Sequence, residues 1–157
     1  MIGNLNANEI ENLLKEQIIG RIGCYAGDEV YVVPVSYAYD GKYIYVRSFE
    51  GKKMEMMRKN PKVCFQVDDT HDMANWQSVI ASGEFEEVAD EPKRKAALKN
   101  LIDRQLPPVS SETTHLGKTW PFSSEENNIK GIVFRILLKE KTGRFEKSEA
   151  VPNVFVV

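Results

Sequence analysis

The sequence predicts a mainly β protein of the α+β class, folded as a six-stranded antiparallel split β-barrel with flanking helices. Segments rich in β-branched and aromatic residues recur along the chain, which is typical of strands. The first of these segments are joined by connections too short for the crossovers of a parallel sheet. Six strands joined mostly as hairpins also lose their exposed edges when they close into a small barrel.

The first predicted element is a short helix. Asn8 is placed to cap it, and the apolar residues Ile10, Leu13 and Leu14 recur at helical spacing. From residue 18 the spacing changes to that of strands.

Three strands are predicted next, over residues 18–26, 30–38 and 43–48. A Gly-Asp-Glu turn at 27–29 separates the first two, and Asp40-Gly41 is a strong hairpin signal between the second and the third. The three strands are therefore expected to form an antiparallel meander.

A second helix is predicted over residues 52–59, because this run has no β-branched residue and Asn60-Pro61 ends it. Residues 62–67 alternate as a strand, 68–75 form a polar loop, and 76–88 alternate again. Gly83 lies inside that last strand and indicates a bulge or a close backbone approach.

The third helix is capped by Asp90 and has Pro92 in its first turn. A long irregular stretch at 106–128 follows, and loops of this length tend to bind ligands or act as lids. The last predicted strand covers 131–138, where Ile132, Phe134 and Ile136 share one face.

Composition sets the class of protein. The 157 residues, 42% apolar and 28% charged, predict one domain over 1–157. A net charge of −2 gives no overall field for nucleic acid, and no apolar run approaches the roughly 18 residues of a membrane span. Cys24 and Cys64 lie far apart, which fits a cytoplasmic location. Together with His71 and His115 they give too few ligands for a metal site.

The strongest candidate site lies where the strand 43–48 leads into the helix 52–59. Arg47 and Ser48 end the strand, and Gly51 begins the helix just before Lys52 and Lys53. Free backbone N–H groups, the helix dipole, a hydroxyl and cations would meet there, as a phosphate group requires. The alternative is a solvated basic turn in which Gly51 serves only the backbone.

Other motifs give weaker evidence for a functional site. Gly117-Lys118-Thr119 resembles the end of a P-loop, but Glu112 stands where the first glycine of that motif belongs. The chain has no GxGxxG, and Ser110 lies in no nucleophile motif. No side chain is a convincing acid or base, so no catalytic residue is predicted.

In its order and spacing of motifs, the chain resembles the FMN-binding split-barrel superfamily of pyridoxamine 5′-phosphate oxidase. The nearest branch is that of the nitroimidazole-reductase-like flavin-nucleotide-binding proteins. The resemblance runs from about Gly20 to Arg144. It rests on the motifs at residues 19–23, 33–37, 43–46, 51–53, 60–63, 76–79 with Gly83, 134–136 and 142–144.

The resemblance implies a homodimer with FMN at its interface and the FMN phosphate held by Ser48, Lys52 and Lys53. The strand Val33, Pro34, Val35 and Ser36 would run along the flavin ring and offer backbone groups to its polar edge. The remaining implied contacts come from Val46, Arg47, Gln77 and Ser78, the last two often from the partner subunit. Either Trp76, where a strand opens, or Trp120, in the long loop, is expected to cover the ring.

The function implied by the resemblance is electron transfer through FMN to a small-molecule acceptor; FAD, a deazaflavin or haem are the alternative cofactors. The alternative function is a carrier that binds flavin or haem without turnover. Ser36 stands where the oxidase has a lysine, so vitamin B6 oxidation is not expected.

Overall fold

The computed structural model describes residues 1–104 and 130–148. These ranges contain three helices and eight strands. In chain order they are β1 (Ile2–Asn4), α1 (Ala7–Glu16), β2 (Ile19–Ala26), β3 (Glu29–Ser36), β4 (Ala38–Tyr39), β5 (Tyr43–Ser48), α2 (Lys52–Lys59), β6 (Lys62–Asp72), β7 (Asn75–Glu87), α3 (Glu91–Asp103) and β8 (Ile132–Lys147).

All strand pairs in these ranges are antiparallel, and the order across the sheet is β3-β2-β6-β7-β8-β5-β4, with β1 added beside β8. The two ends of this order, β3 and β4, are joined in the chain by the single residue Tyr37. The sheet must therefore curl back on itself, which confirms the predicted antiparallel split barrel.

Tyr37 anchors this closing corner. Its side chain is fully buried, and its hydroxyl donates to the Leu14 carbonyl oxygen at 2.8 Å. Its backbone N–H donates to the Ile18 carbonyl oxygen at 2.9 Å, and its ring packs edge-on against Phe65. The corner is thus tied to α1 and to the barrel core.

The predicted meander is wrong in its third strand. β2 pairs with β3 along its whole length, but β5 pairs with β4 and β8 instead of β3. The corner at Tyr37 splits the predicted strand 30–38 and carries the chain to the opposite end of the sheet. The Asp40-Gly41 turn does exist, between β4 and β5, where the Asp40 carboxylate accepts from the N–H groups of Lys42 and Tyr43.

The strand count of six is also corrected, to eight in the described ranges. One added strand comes from this split and the other is β1, whose three residues carry no strand pattern. The polar loop predicted at 68–75 is wrong, because β6 continues to Asp72 in a hairpin arm with β7. The last strand likewise continues to Lys147, paired with β7 and β1.

The helix α1 begins two residues earlier than predicted. Asn6, not Asn8, is its cap: the Asn6 side chain accepts from the Glu9 N–H at 2.9 Å, and the Glu9 carboxylate accepts from the Asn6 N–H. The helix α2 and the Asp90 cap of α3 are confirmed.

Apolar side chains form two buried clusters. The larger fills the barrel, with Phe65 and Phe134 fully buried, and the smaller lies between α3 and the sheet around Leu98. The close approach predicted at Gly83 is confirmed, since a Cβ there would lie 2.4 Å from Cγ2 of Ile136 and the register shifts beside it.

Two further points concern the chain as a whole. In the ranges 1–104 and 130–148, no helix has the length and apolarity that crossing a membrane requires. The predicted long loop at 106–128, with His115, Gly117-Lys118-Thr119 and Trp120, lies outside the described residues.

Candidate functional site

The N-terminus of α2 is open to a ligand. Gly51 is the cap residue, in extended backbone, and contributes no side-chain hydrogen bond. The first helical bond runs from the Glu55 N–H to the Gly51 carbonyl oxygen at 3.2 Å. The preceding N–H groups therefore point out of the helix at the positive end of its dipole, where anions bind.

The two lysines that follow Gly51 differ in their surroundings. The Lys52 ammonium forms an ion pair with Glu29 and lies 5.1 Å from the centre of the Tyr31 ring. Lys53 is half-buried and has no ion-pair partner among the described residues. Burial lowers the pKa of Lys53 below its usual value. A bound anion would relieve that cost, so Lys53 is the cation at this helix end that is free to meet one.

The end of β5 contributes less to this helix end than the sequence predicts. Val46 is buried in the barrel core, so only its backbone can meet a ligand. The Ser48 hydroxyl donates to the Phe49 carbonyl oxygen at 3.1 Å. Arg47 donates to the Lys130 carbonyl oxygen, so its guanidinium is directed at the chain just before β8. Burial, and then the charge of Arg94, lower the pKa of Arg47.

The strand predicted to lie along the ring is a sheet edge. In the described residues β3 pairs on one side only, with β2, so backbone groups along its other edge have no strand partner. Val35 is buried in the core, while Val33 and Ser36 are half-buried and Pro34 is exposed. Available backbone groups are what the predicted contact with a flavin requires.

Arg104, which the sequence analysis did not single out, lies beside the end of β3. Its Nη1 donates to the Ser36 hydroxyl at 2.7 Å and to the Tyr37 carbonyl oxygen at 2.9 Å. Its Nε is buried and has no hydrogen-bond partner in the part of the chain that the structure describes. Burial lowers the pKa of Arg104 to about 10, so the group stays charged at neutral pH. An arginine at a helix end usually indicates only a C-terminal cap, so no local pattern predicts this contact.

A cavity of about 620 Å³ adjoins this arginine. It lies between the end of α1, the closing corner of the barrel and the end of α3. Its wall includes Tyr37, Tyr39, Asn100 and Arg104, with Lys15, Glu16 and Asp103 adding charge of both signs. The volume lies within the range of small-molecule sites.

Trp76, Gln77 and Ser78 lie elsewhere in the protomer. Ser78 pairs with Arg144 of β8, whereas Ser48 pairs with Ile132, twelve residues earlier on the same strand. Twelve residues of extended strand span at most about 40 Å. The pairing of Trp76, Gln77 and Ser78 with β8 is therefore displaced by twelve or more positions from that of the β5 end next to α2.

This second group has its own hydrogen bonds and a small cavity. The Trp76 indole N–H donates to Glu146 at 3.1 Å, and the Ser78 hydroxyl accepts from Gln66. Gln77 is exposed. A cavity of about 210 Å³ is lined by Trp76, Gln77 and His71 together with neighbouring residues of β6 and β8. In the described ranges no group of three or more His, Cys, Asp or Glu side chains could hold a metal ion.

Comparisons with known proteins agree with this architecture. The chain is similar to a crystal structure of an FAD-binding protein from Mesorhizobium loti, with 31% identity, a TM-score of 0.71, and coverage of 94% of this chain and 98% of that one. It is also similar to an FAD-binding protein of Mycobacterium smegmatis, with 26% identity, a TM-score of 0.63, and coverage of 93% and 100%.

A curated relative gives a shorter match. An uncharacterized protein of Rhizobium meliloti is 31% identical over 84 residues, which are 54% of this chain. The match spans 56% of that relative's length.

The closed antiparallel sheet and the open end of α2 define a split-barrel protein of the pyridoxamine 5′-phosphate oxidase-like class. The sequence pattern of the pyridoxamine 5′-phosphate oxidase family matches residues 6–145, and the chain belongs to that family. The superfamily predicted from the sequence motifs is thereby confirmed.

Proposed function

We propose that this protein binds FMN at the N-terminus of α2 and passes electrons through it to a small-molecule acceptor. The observation that carries the proposal is the start of α2, which has no side-chain cap, next to the half-buried Lys53, which has no ion-pair partner among the described residues. Outward N–H groups and a nearby cation suit a phosphate group. The flavin-binding part of the proposal is supported by the two relatives whose crystal structures are described as FAD-binding proteins.

The predicted residues of α2 and β3 hold different parts of the cofactor in this proposal. Lys53 and the N–H groups at the start of α2 hold the phosphate, with Lys52 and Ser48 beside them. The free edge of β3, from Val33 to Ser36, offers backbone hydrogen bonds to the polar edge of the ring. When bound, the flavin supplies the hydride and electron chemistry, and the protein supplies binding and tuning.

The proposal includes a homodimer that completes the site. The outer face of the sheet carries exposed apolar side chains, with Val30 72%, Val32 62% and Ile80 51% exposed. Their strands are neighbours or near neighbours in the sheet, so these side chains belong to one surface. Burying that surface against a second copy would bring in Trp76, Gln77 and Ser78 from the partner. Within one chain, Ser48 and Ser78 pair with β8 at positions twelve residues apart, so we expect the partner to supply these three residues.

A cytoplasmic location is part of the same proposal, since electron transfer through a soluble flavin needs a reduced donor such as NAD(P)H. The acceptor would approach through the cavity beside the end of β3, whose size suits a small molecule.

One feature favours the alternative function, a carrier without turnover. Among the described residues of the proposed site, no two side chains form a general acid–general base pair.

The test is the visible spectrum of the purified protein, before and after addition of FMN or FAD, with the released cofactor identified by chromatography. Two flavin bands and released FMN are expected. Anaerobic reduction by NAD(P)H, followed by reoxidation with an acceptor, then separates an oxidoreductase from a carrier.

Other outcomes contradict the proposal in different ways. Released FAD would keep the flavin site but replace the cofactor. A Soret band would indicate haem. A colourless protein whose melting temperature ignores both flavins would overturn flavin binding altogether.

A further inference from the structure

The guanidinium of Arg104 is a half-buried positive charge next to the strand expected to hold the flavin ring. Its donated bonds go to the Ser36 hydroxyl and the Tyr37 carbonyl oxygen, both neutral groups. No carboxylate of the described residues forms an ion pair with it, although Glu16 and Asp103 line the same cavity. Within residues 1–104 and 130–148, its charge is therefore not cancelled by a direct ion pair.

We propose that Arg104 is a positioning residue that acts through Ser36 to raise the reduction potential of the bound flavin. This rests on the proposed function, in which Ser36 lies at the polar edge of the ring. Nη1 of Arg104 occupies one acceptor position of the Ser36 oxygen at 2.7 Å. The hydroxyl hydrogen of Ser36 must then point away from Arg104, where it can donate to a ligand.

The corner that holds this pair is rigid. Tyr37 follows Ser36 directly, and its N–H, carbonyl oxygen and hydroxyl are all hydrogen-bonded to α1, to the chain after it, or to Arg104. A donor fixed in this way needs no reorganisation when charge develops on the ligand.

The direction of the effect follows from the charge balance of flavin reduction. At neutral pH, two electrons and one proton enter the oxidised ring, which leaves one negative charge on the reduced ring. A positive charge linked to the ring through the Ser36 hydroxyl stabilises that reduced form more than the neutral oxidised form. Because Arg104 is half-buried, water screens this interaction less than it would at an exposed site.

The test compares Arg104→Met, which removes the charge at similar length, with Arg104→Lys, which keeps it, and with Ser36→Ala, which removes the linking hydroxyl. The midpoint potential of bound FMN is measured by anaerobic dithionite titration against a reference dye. The dissociation constant of oxidised FMN and the melting temperature are measured in parallel.

We expect Arg104→Met to weaken binding of reduced relative to oxidised FMN about tenfold, a fall of about 30 mV for a two-electron couple. Arg104→Lys should retain most of the wild-type potential, and Ser36→Ala should lower it in the same direction as Arg104→Met. A residue with a purely structural role would change the melting temperature without this shift.

Two results would overturn the inference while leaving the proposed function intact. One is an Arg104→Met protein that binds FMN at the wild-type potential. The other is a wild-type potential in Ser36→Ala, which decides the matter even if Arg104→Met fails to fold. A wild-type protein that binds no flavin would instead overturn the proposed function itself.

Discussion

Lys52 at the start of α2 is neutralised by Glu29 at the start of β3, whereas the next residue, Lys53, has no such partner in the described residues. The hydrogen bond from Lys52 to Glu29 also raises the pKa of Lys52. The adjacent lysines, which look equivalent in the sequence, therefore differ: Lys52 ties the helix to the β2–β3 hairpin, and Lys53 has no ion-pair partner among the described residues.

This difference predicts unequal effects of two substitutions on flavin binding. Lys53→Ala should weaken FMN binding by about 1.5–3 kcal/mol, or roughly 10–150-fold, because it removes a charge-assisted contact with the phosphate. Lys52→Ala should weaken FMN binding much less, since the Lys52 ammonium already forms an ion pair with Glu29. Flavin fluorescence titration measures both, and Lys59→Ala, at the other end of α2, is the matched control. Equal losses from both lysines would contradict this assignment.

A carboxylate introduced at the cap of α2 should stabilise the fold while weakening FMN binding. Gly51 has extended backbone, and a Cβ there would meet nothing within 4 Å, so Gly51→Asp fits without strain. The new side chain would accept from the first N–H groups and raise the free energy of unfolding by a few tenths of a kcal/mol. The new carboxylate would also occupy the position of the phosphate and repel its negative charge.

We therefore expect Gly51→Asp to bind FMN at least about tenfold more weakly while melting no lower than the wild type. Calorimetry for stability and fluorescence for affinity give the two quantities, with Gly51→Ala as the control that changes neither strongly. Full FMN affinity in Gly51→Asp would show that the phosphate binds elsewhere.

Mixed dimers test whether Gln77 serves the partner's site. Gln77 is exposed, so Gln77→Trp should fold and block the flavin ring. In a heterodimer of Lys53→Ala and Gln77→Trp subunits, one site carries both defects and the other carries none. Half of the heterodimer's sites should then bind FMN with wild-type affinity.

The matched control places both substitutions in one subunit and pairs it with wild type. Each of its two sites then carries one defect, so neither should bind at full affinity. Differently tagged subunits, purified as heterodimers, make the comparison by titration. Identical binding by the two heterodimers would contradict a site shared across the interface.

The bulge at Gly83 predicts a stability effect. A Cβ at this position would lie 2.4 Å from Cγ2 of Ile136 and 3.2 Å from the Leu137 carbonyl oxygen. Gly83→Ala should therefore lower the free energy of unfolding by about 1–3 kcal/mol, as measured by urea denaturation. Gly23→Ala is the control, because its Cβ would meet nothing closer than 3.7 Å. A neutral Gly83→Ala would show that β7 and β8 can separate at this point without cost.

Much of the fold could be predicted because local signals carry it. The alternation of Val63, Phe65 and Val67 predicted a strand face, and all three side chains are buried. The Asp90 cap and the turn after Asp40 were likewise confirmed, since capping and turn formation depend on neighbouring residues. The polar residues after Val67 misled the prediction because a solvated hairpin arm is held by backbone pairing, which side-chain polarity does not report.

The candidate site likewise has one part that local sequence signals predict and another that depends on the tertiary structure. The sequence by itself determined that Gly51, Lys52 and Lys53 begin a helix after a strand, because those residues are adjacent in the chain. Only the tertiary structure decided that Glu29 pairs with Lys52, that Arg104 reaches Ser36 across 68 residues, and that β3 and β5 lie apart in the sheet. These relationships depend on how the barrel closes at Tyr37. Closure is determined by core packing between residues far apart in the chain, which no local sequence pattern predicts.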